Sequence, residues 1–200
     1  MPDIVLNKLS IVGPEEQLRG IKEFFTNENG EFKFSFEKLL PTPKALLDDV
    51  ISSCVNCINT YISNPTVENK IQVEISLQGR KSFDEIIEIY NNLVKEHGTA
   101  DWFWWRVNNW GCKWDADLLD IDITEEEVFI EFETPWNCPV PVIKILSEKF
   151  PECAMLLKYA NEDLGIDCGW YDIKDGSILS DVEMSYEEAK EFWGIYDEEE

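Results

Sequence analysis

The stretch Asp115-Ala116-Asp117-Leu118-Leu119-Asp120-Ile121-Asp122-Ile123-Thr124-Glu125-Glu126-Glu127-Val128-Phe129-Ile130-Glu131-Phe132-Glu133-Thr134 decides the fold class. Leu119, Ile121 and Ile123 alternate with carboxylates, and Thr124 to Glu127 breaks the pattern. Val128, Ile130 and Phe132 then alternate with Phe129, Glu131 and Glu133. A period of two belongs to a strand with one buried face, because successive Cβ atoms point to opposite sides. The stretch therefore reads as a β-hairpin. It holds nine carboxylates (Asp115, Asp117, Asp120, Asp122, Glu125, Glu126, Glu127, Glu131 and Glu133) and no Lys or Arg.

Just upstream lies Trp102-Phe103-Trp104-Trp105, then Asn109-Trp110-Gly111-Cys112-Lys113-Trp114. Six of the eight tryptophans fall between Asp101 and Pro139. Such clusters serve as core or hairpin packing, or as platforms on which a base or sugar stacks. Arg106 and Lys113 are the only Lys or Arg between positions 96 and 143. With Trp110, Trp114 and Trp136 they form the candidate site for a small anionic ligand, Lys113 being placed for a cation–π contact.

Towards the N-terminus, Ile4 to Val12 reads as a strand and Leu18, Ile21, Phe24 and Phe25 recur at helical spacing. Phe32, Phe34 and Phe36 alternate like another strand. Leu47, Val50, Ile51, Cys54, Ile58 and Tyr61 signal a helix over about 45–62, and residues 66–81 read as a short strand or a loop. Ser82 with Glu85 is a capping box opening a helix that ends at His97-Gly98. Towards the C-terminus, Pro139 and Pro141 lead into a helix through Ile143, Leu146 and Phe150. Met155 to Tyr159, Cys168 to Ile173 and Ser177 to Met184 read as strands, and Ser185 with Glu188 caps a last helix before an acidic tail. This order predicts an α+β domain over 1–184, with a mostly antiparallel sheet and helices on one face. A helical insertion occupies about 45–97, and residues 185–200 form the C-terminal helix and tail.

The net charge is −24, and it is uneven. Residues 1–113 hold 12 Lys/Arg against 16 Asp/Glu, whereas residues 114–200 hold 5 against 25. A field of that sign repels phosphate backbones, so direct nucleic-acid binding is disfavoured. With one histidine, no Gly-rich phosphate loop and no GxSxG elbow, the chain offers no catalytic residues, metal site or cofactor motif. Asp115-Ala116-Asp117 starts like a calcium loop, but Leu119 and Asp120 fall where an oxygen ligand and a glycine are needed. Cys54 and Cys57 lack the second pair that a zinc site requires. Met1-Pro2-Asp3 opens without a signal-peptide pattern, and no window is apolar enough for a membrane span. A cytoplasmic protein with six reduced cysteines is the expectation.

Asn109-Trp110-Gly111-x-Lys113-Trp114-Asp115, with Phe132-x-Thr134-x-Trp136-x-x-Pro139, resembles the YubB-like (Api-like) family of phage and plasmid proteins. Leu40 to Pro43 and the Gly169/Gly176 spacing fit the same pattern. The resemblance implies a ferredoxin-like domain and a mobile-element origin, and carries over no activity. Together with the charge it points to a non-enzymatic accessory protein. Such a protein is expected to bind and inhibit a host protein with a basic surface, a nucleic-acid-handling defence factor being one such protein, through the nine carboxylates as a nucleic-acid mimic. The alternative is a nucleotide- or sugar-binding domain or enzyme at the tryptophans.

Overall fold

The computed structural model describes residues 3–195, so the tail expected beyond the last helix lies outside them. The elements in chain order are β1 (Ile4–Val12), α1 (Glu15–Phe25), α2 (Phe36–Leu39), a 3-10 turn (Lys44–Leu47), α3 (Asp49–Ser63), α4 (Val67–Leu77), α5 (Phe83–His97) and α6 (Trp102–Trp110). They continue with β2 (Asp117–Ile123), β3 (Glu127–Pro135), α7 (Val140–Lys149), β4 (Ala154–Asn161), β5 (Cys168–Lys174), β6 (Ser177–Glu183) and α8 (Tyr186–Phe192). Two compact units result. One is Thr42–Val107, and the other joins the residues up to Pro41 to those from Asn108 onward.

The second unit is built on a six-stranded antiparallel sheet of order β2-β3-β1-β4-β5-β6. Its first four strands, with α1 and α7, give the β-α-β-β-α-β order of a ferredoxin-like domain. β1 is central, pairing with β3 from Ile4↔Pro135 to Val12↔Glu127 and with β4 from Val5↔Asn161 to Val12↔Ala154. Directly paired residues point the same way, so the register defines two faces. On one face Val5, Leu9, Ile11, Val128, Ile130, Phe132, Met155 and Leu157 are all buried. Leu18, Ile21 and Phe25 of α1 and Val142, Ile143 and Leu146 of α7 complete this core. Phe34 and Phe36 pack their rings 5.0 and 6.0 Å from Phe132, and Phe25 lies 5.0 Å from Phe34. Asn7, also on this face, donates from Nδ2 to the Val5 carbonyl and to Thr134 Oγ1, each at 2.9 Å.

The Thr42–Val107 unit is helical. Asp48 caps α3, Thr66 caps α4, and the Ser82/Glu85 capping box opens α5. Ile51, Cys54, Val55, Ile58, Val73, Leu77, Ile86 and Leu93 form its core. Gly98 closes α5 in the left-handed region, its N–H donating to the Val94 carbonyl, which leaves His97 an ordinary last-turn residue.

Several expectations change. Phe32 to Phe36 is no strand. Phe32 makes an isolated bridge to Thr26, and Phe36 begins the one-turn helix α2. Asp115 accepts hydrogen bonds from Ser35 Oγ and from the Phe36 amide, so the alternating phenylalanines enter the core from a loop and a helix. Residues 67–77 are helical, because Thr66 Oγ1 accepts from the Asn69 amide and Val73 and Leu77 meet at helical spacing. The helix expected over 45–62 is split at Asp48, and the tryptophan cluster 102–105 lies on α6, where Trp105 is buried and Trp104 exposed. A register shift between Leu118 and Asp120 leaves Leu119 exposed, so Leu118, Ile121 and Ile123 are the inward residues of β2. α8 packs on the face opposite to α1 and α7, where Ala189 meets Ala160 and Cys168.

Removing the Phe132 ring leaves a cavity beside the Phe34 and Phe36 rings. Phe132→Ala is expected to cost about 3–5 kcal/mol, read as a lower urea midpoint with an unchanged m-value.

Candidate functional site

The uncovered face of the sheet carries the outward halves of the same alternating strands. In register across β2, β3, β1, β4, β5 and β6 runs the row Asp120, Glu131, Lys8, Lys158, Trp170, Val182. Beside it runs Asp122, Phe129, Ser10, Leu156, Asp172, Ser180. Asp117 opposes Glu133 directly. Five of the nine candidate carboxylates, Asp117, Asp120, Asp122, Glu131 and Glu133, thus share one surface on β2–β3. Lys8 reaches Glu131 at 3.6 Å. Like charges directly opposed across strands are destabilising by some tenths of a kcal/mol. Burial, then Asp117 and Glu162, push the Glu133 carboxyl above the ordinary carboxylate range.

The other four carboxylates differ. Glu125 and Glu126 are exposed at the hairpin turn, where Thr124 Oγ1 accepts from the amides of Glu126 and Glu127. Glu127 is half-buried and lines a groove on the open face. Asp115 is structural, joining the approach to β2 to α2 through Ser35 and Phe36.

α8 covers one end of the open face. Lys8 Nζ donates to the Phe192 carbonyl at 3.2 Å and lies 4.6 Å from its ring centre, while Trp193 Nε1 donates to the Asn161 carbonyl at 3.1 Å. Beside α8 the sheet leaves a cavity of about 620 Å³ lined by Leu156, Lys158, Trp170, Asp172, Met184, Glu188, Glu191 and Phe192. No local motif singles out Trp170, Leu156 or Lys158 as a site. Their period-two spacing marks them as outward residues, but only the register brings them together.

The tryptophan motif divides in two. Trp110 is fully buried, edge-on to Phe36 at 6.0 Å, with Nε1 donating to the Leu40 carbonyl at 3.0 Å. Gly111 has φ +93°, and a Cβ there would lie 2.7 Å from Pro141 Cδ, which is why a glycine follows. Trp114 and Trp136 are 45% and 37% exposed. The Lys113 ammonium lies 4.7 Å from the first ring centre and 5.3 Å from the second. Trp136 has φ +67°, rare for a bulky residue, and its amide donates to the Asp3 carbonyl. Arg106 belongs to the helical unit, donating to Thr42 Oγ1 at 2.9 Å and lying over Trp102.

Burial pushes the Cys138 thiol and the stacked Tyr159 and Tyr171 hydroxyls upward, so all three stay protonated at neutral pH. Among the described residues all six cysteines are free, and no group of three or more His, Cys, Asp and Glu is placed to hold a metal. Among them, too, no helix is long and apolar enough to cross a membrane.

Residues 110–200 match the family model of the ferredoxin-like domain in Api92-like protein. The match begins inside the Asn109–Asp115 motif that carries the sequence resemblance. Among solved structures, the chain is similar to a protein api92 from Yersinia pseudotuberculosis at 10% identity and a TM-score of 0.49, over 92% of this chain and 99% of that one. No curated protein matches the chain.

Glu133 gives the surface a pH signature. Because its folded pKa is raised, the stability it contributes is complete below the ordinary carboxylate range and is lost as pH rises through the raised value. Glu133→Gln is expected to match the wild type in acid and to exceed it at neutral pH, measured as urea midpoints across pH.

Proposed function

We propose that the chain is an accessory protein of a phage or other mobile element that binds and inhibits a basic host protein, one that handles nucleic acid. It does so through the outward face of β2–β3. The observation that carries this reading is the set of five carboxylates on one face of one hairpin, two pairs of them directly opposed. Their mutual repulsion lowers stability, and a basic partner relieves it. Outward residues recur about every 7 Å along a strand, and strands lie about 4.8 Å apart. The result is a regular two-row array of anions. Lys and Arg that otherwise hold phosphates pair with carboxylates through the same charge-assisted hydrogen bonds. The negative field also speeds encounter with a basic surface. The family resemblance supports the mobile-element origin.

The test is capture from host lysate on immobilised protein at low and high salt. A basic nucleic-acid-binding protein retained at low salt and displaced by DNA is expected. A triple variant with Asp117, Asp120 and Asp122 each changed to Lys should lower its affinity at least about tenfold. Unchanged capture by the triple variant overturns the reading.

A second reading rests on Lys113 lying over the half-exposed rings of Trp114 and Trp136, which suits a planar anion such as a nucleotide, or a sugar. Titration with a nucleotide and sugar panel should then quench or shift the Trp114 and Trp136 emission, while Trp110 stays a constant background. A flat titration with every ligand removes this reading.

A further inference from the structure

The open face has a second half, away from the acidic hairpin, and its chemistry differs. The cavity beside α8 is walled by Leu156, Trp170, Met184 and Phe192. A second groove of about 460 Å³ shares Leu156 and Asp172 with it and continues along the sheet past Ser10, Val12 and Leu179. They share the outward residues Leu156 of β4 and Asp172 of β5; the first adds Lys158 and Trp170, and the second adds Ser10 and Val12 of β1. Asp172, Glu188 and Glu191 edge the first and Glu127 the second, against Lys158 alone on the basic side. The result is a continuous apolar trough with an acidic rim.

α8 itself indicates what this face accepts. It is a short amphipathic element seated on the sheet by aromatic side chains, with Phe192 over Lys8 and Trp193 bonded to Asn161. Trp170 lies in the same row of the sheet as Lys8 and Lys158 and forms part of the cavity wall. A half-exposed tryptophan in a concave apolar site is the residue type that dominates binding energy at protein interfaces. Four rim carboxylates repel phosphate and free fatty acids, and they favour a chain that carries Lys or Arg.

We propose that this trough anchors a segment of a partner protein in which Lys or Arg residues flank an aliphatic or aromatic side chain. The apolar side chain lies against Trp170 and Leu156, and the flanking cations reach Asp172, Glu188, Glu191 and Glu127. This deepens the proposed function, on which it rests. The hairpin carboxylates govern the rate of encounter, and the trough governs how long the complex lasts.

The test uses two fluorescein-labelled peptides of equal length and charge, one of alternating Lys and Leu and one of alternating Lys and Ser, titrated by fluorescence anisotropy into the full chain. The Lys/Leu peptide is expected to bind at least tenfold more tightly. Trp170→Ala, checked for native circular dichroism, should bring it to the level of the Lys/Ser peptide and leave the latter unchanged. Asp172→Lys, at a solvent-facing rim position, should weaken both peptides. Equal binding of the two peptides to the wild type, or full Lys/Leu affinity in Trp170→Ala, overturns the trough as an anchor. In that case salt-sensitive binding that is lost in Asp120→Lys leaves the acidic-hairpin reading standing. Binding of neither peptide overturns both.

Discussion

The pairing of β1 on both of its edges is the constraint on which the rest of the sheet unit depends. With β3 on one side and β4 on the other, every side chain of β1 is assigned to one of two faces, and its neighbours follow in register. Asn7, Leu9 and Ile11 take Phe132, Ile130 and Val128 inward with them. Lys8 and Ser10 take Glu131 and Phe129 outward. A one-residue slip of β1 would bury Lys8 and Ser10 and expose Leu9 and Ile11. Asn7 opposes such a slip, because its Nδ2 reaches Thr134 Oγ1 on β3 only in this register. Core and open surface are two consequences of one alternation.

The motif that carries the family resemblance explains how the sheet meets its surroundings. Trp110 fills the core, Gly111 turns where no Cβ fits, Asp115 holds α2, and Thr134 ties β1 to the Trp136 turn by donating to the Asn137 carbonyl. Most of the motif therefore serves the fold. Lys113, Trp114 and Trp136 are its solvent-facing part, and the positive φ of Trp136 is the one strained feature there.

What was legible in the sequence was what repeats locally. The β2–β3 alternation, the capping boxes at Ser82 and Ser185 and the helical spacing of α5 and α7 all show their period within a few residues. Elements fixed by distant partners did not. Phe32 to Phe36 imitates a strand because three rings recur at intervals of two, and the helix start at Ser35 is fixed by the Asp115 carboxylate, eighty residues away. Ile71, Val73 and Ile75 imitate a strand because Ile71 and Ile75 remain exposed on α4. For the site, the nine carboxylates were visible as a count. Their division into an outward array, a turn pair, a groove residue and a structural cap needed the register. Trp170 and its neighbours come from three strands and become a surface only when those strands pair.

Electrostatics and packing then point to one face. The carboxylate array on β2–β3 and the acid-rimmed trough beside α8 lie on the same side of one continuous sheet, joined by Lys8 and Lys158. The most direct measurement is a ¹H–¹⁵N shift map, tryptophan indole signals included, recorded while the Lys/Leu peptide is added to the intact chain. The predicted map moves the Trp170 indole and the amides of β2 to β5, and leaves the Trp114 and Trp136 indoles in place. Shifts centred on Trp114 and Trp136, or none at all, would contradict the account.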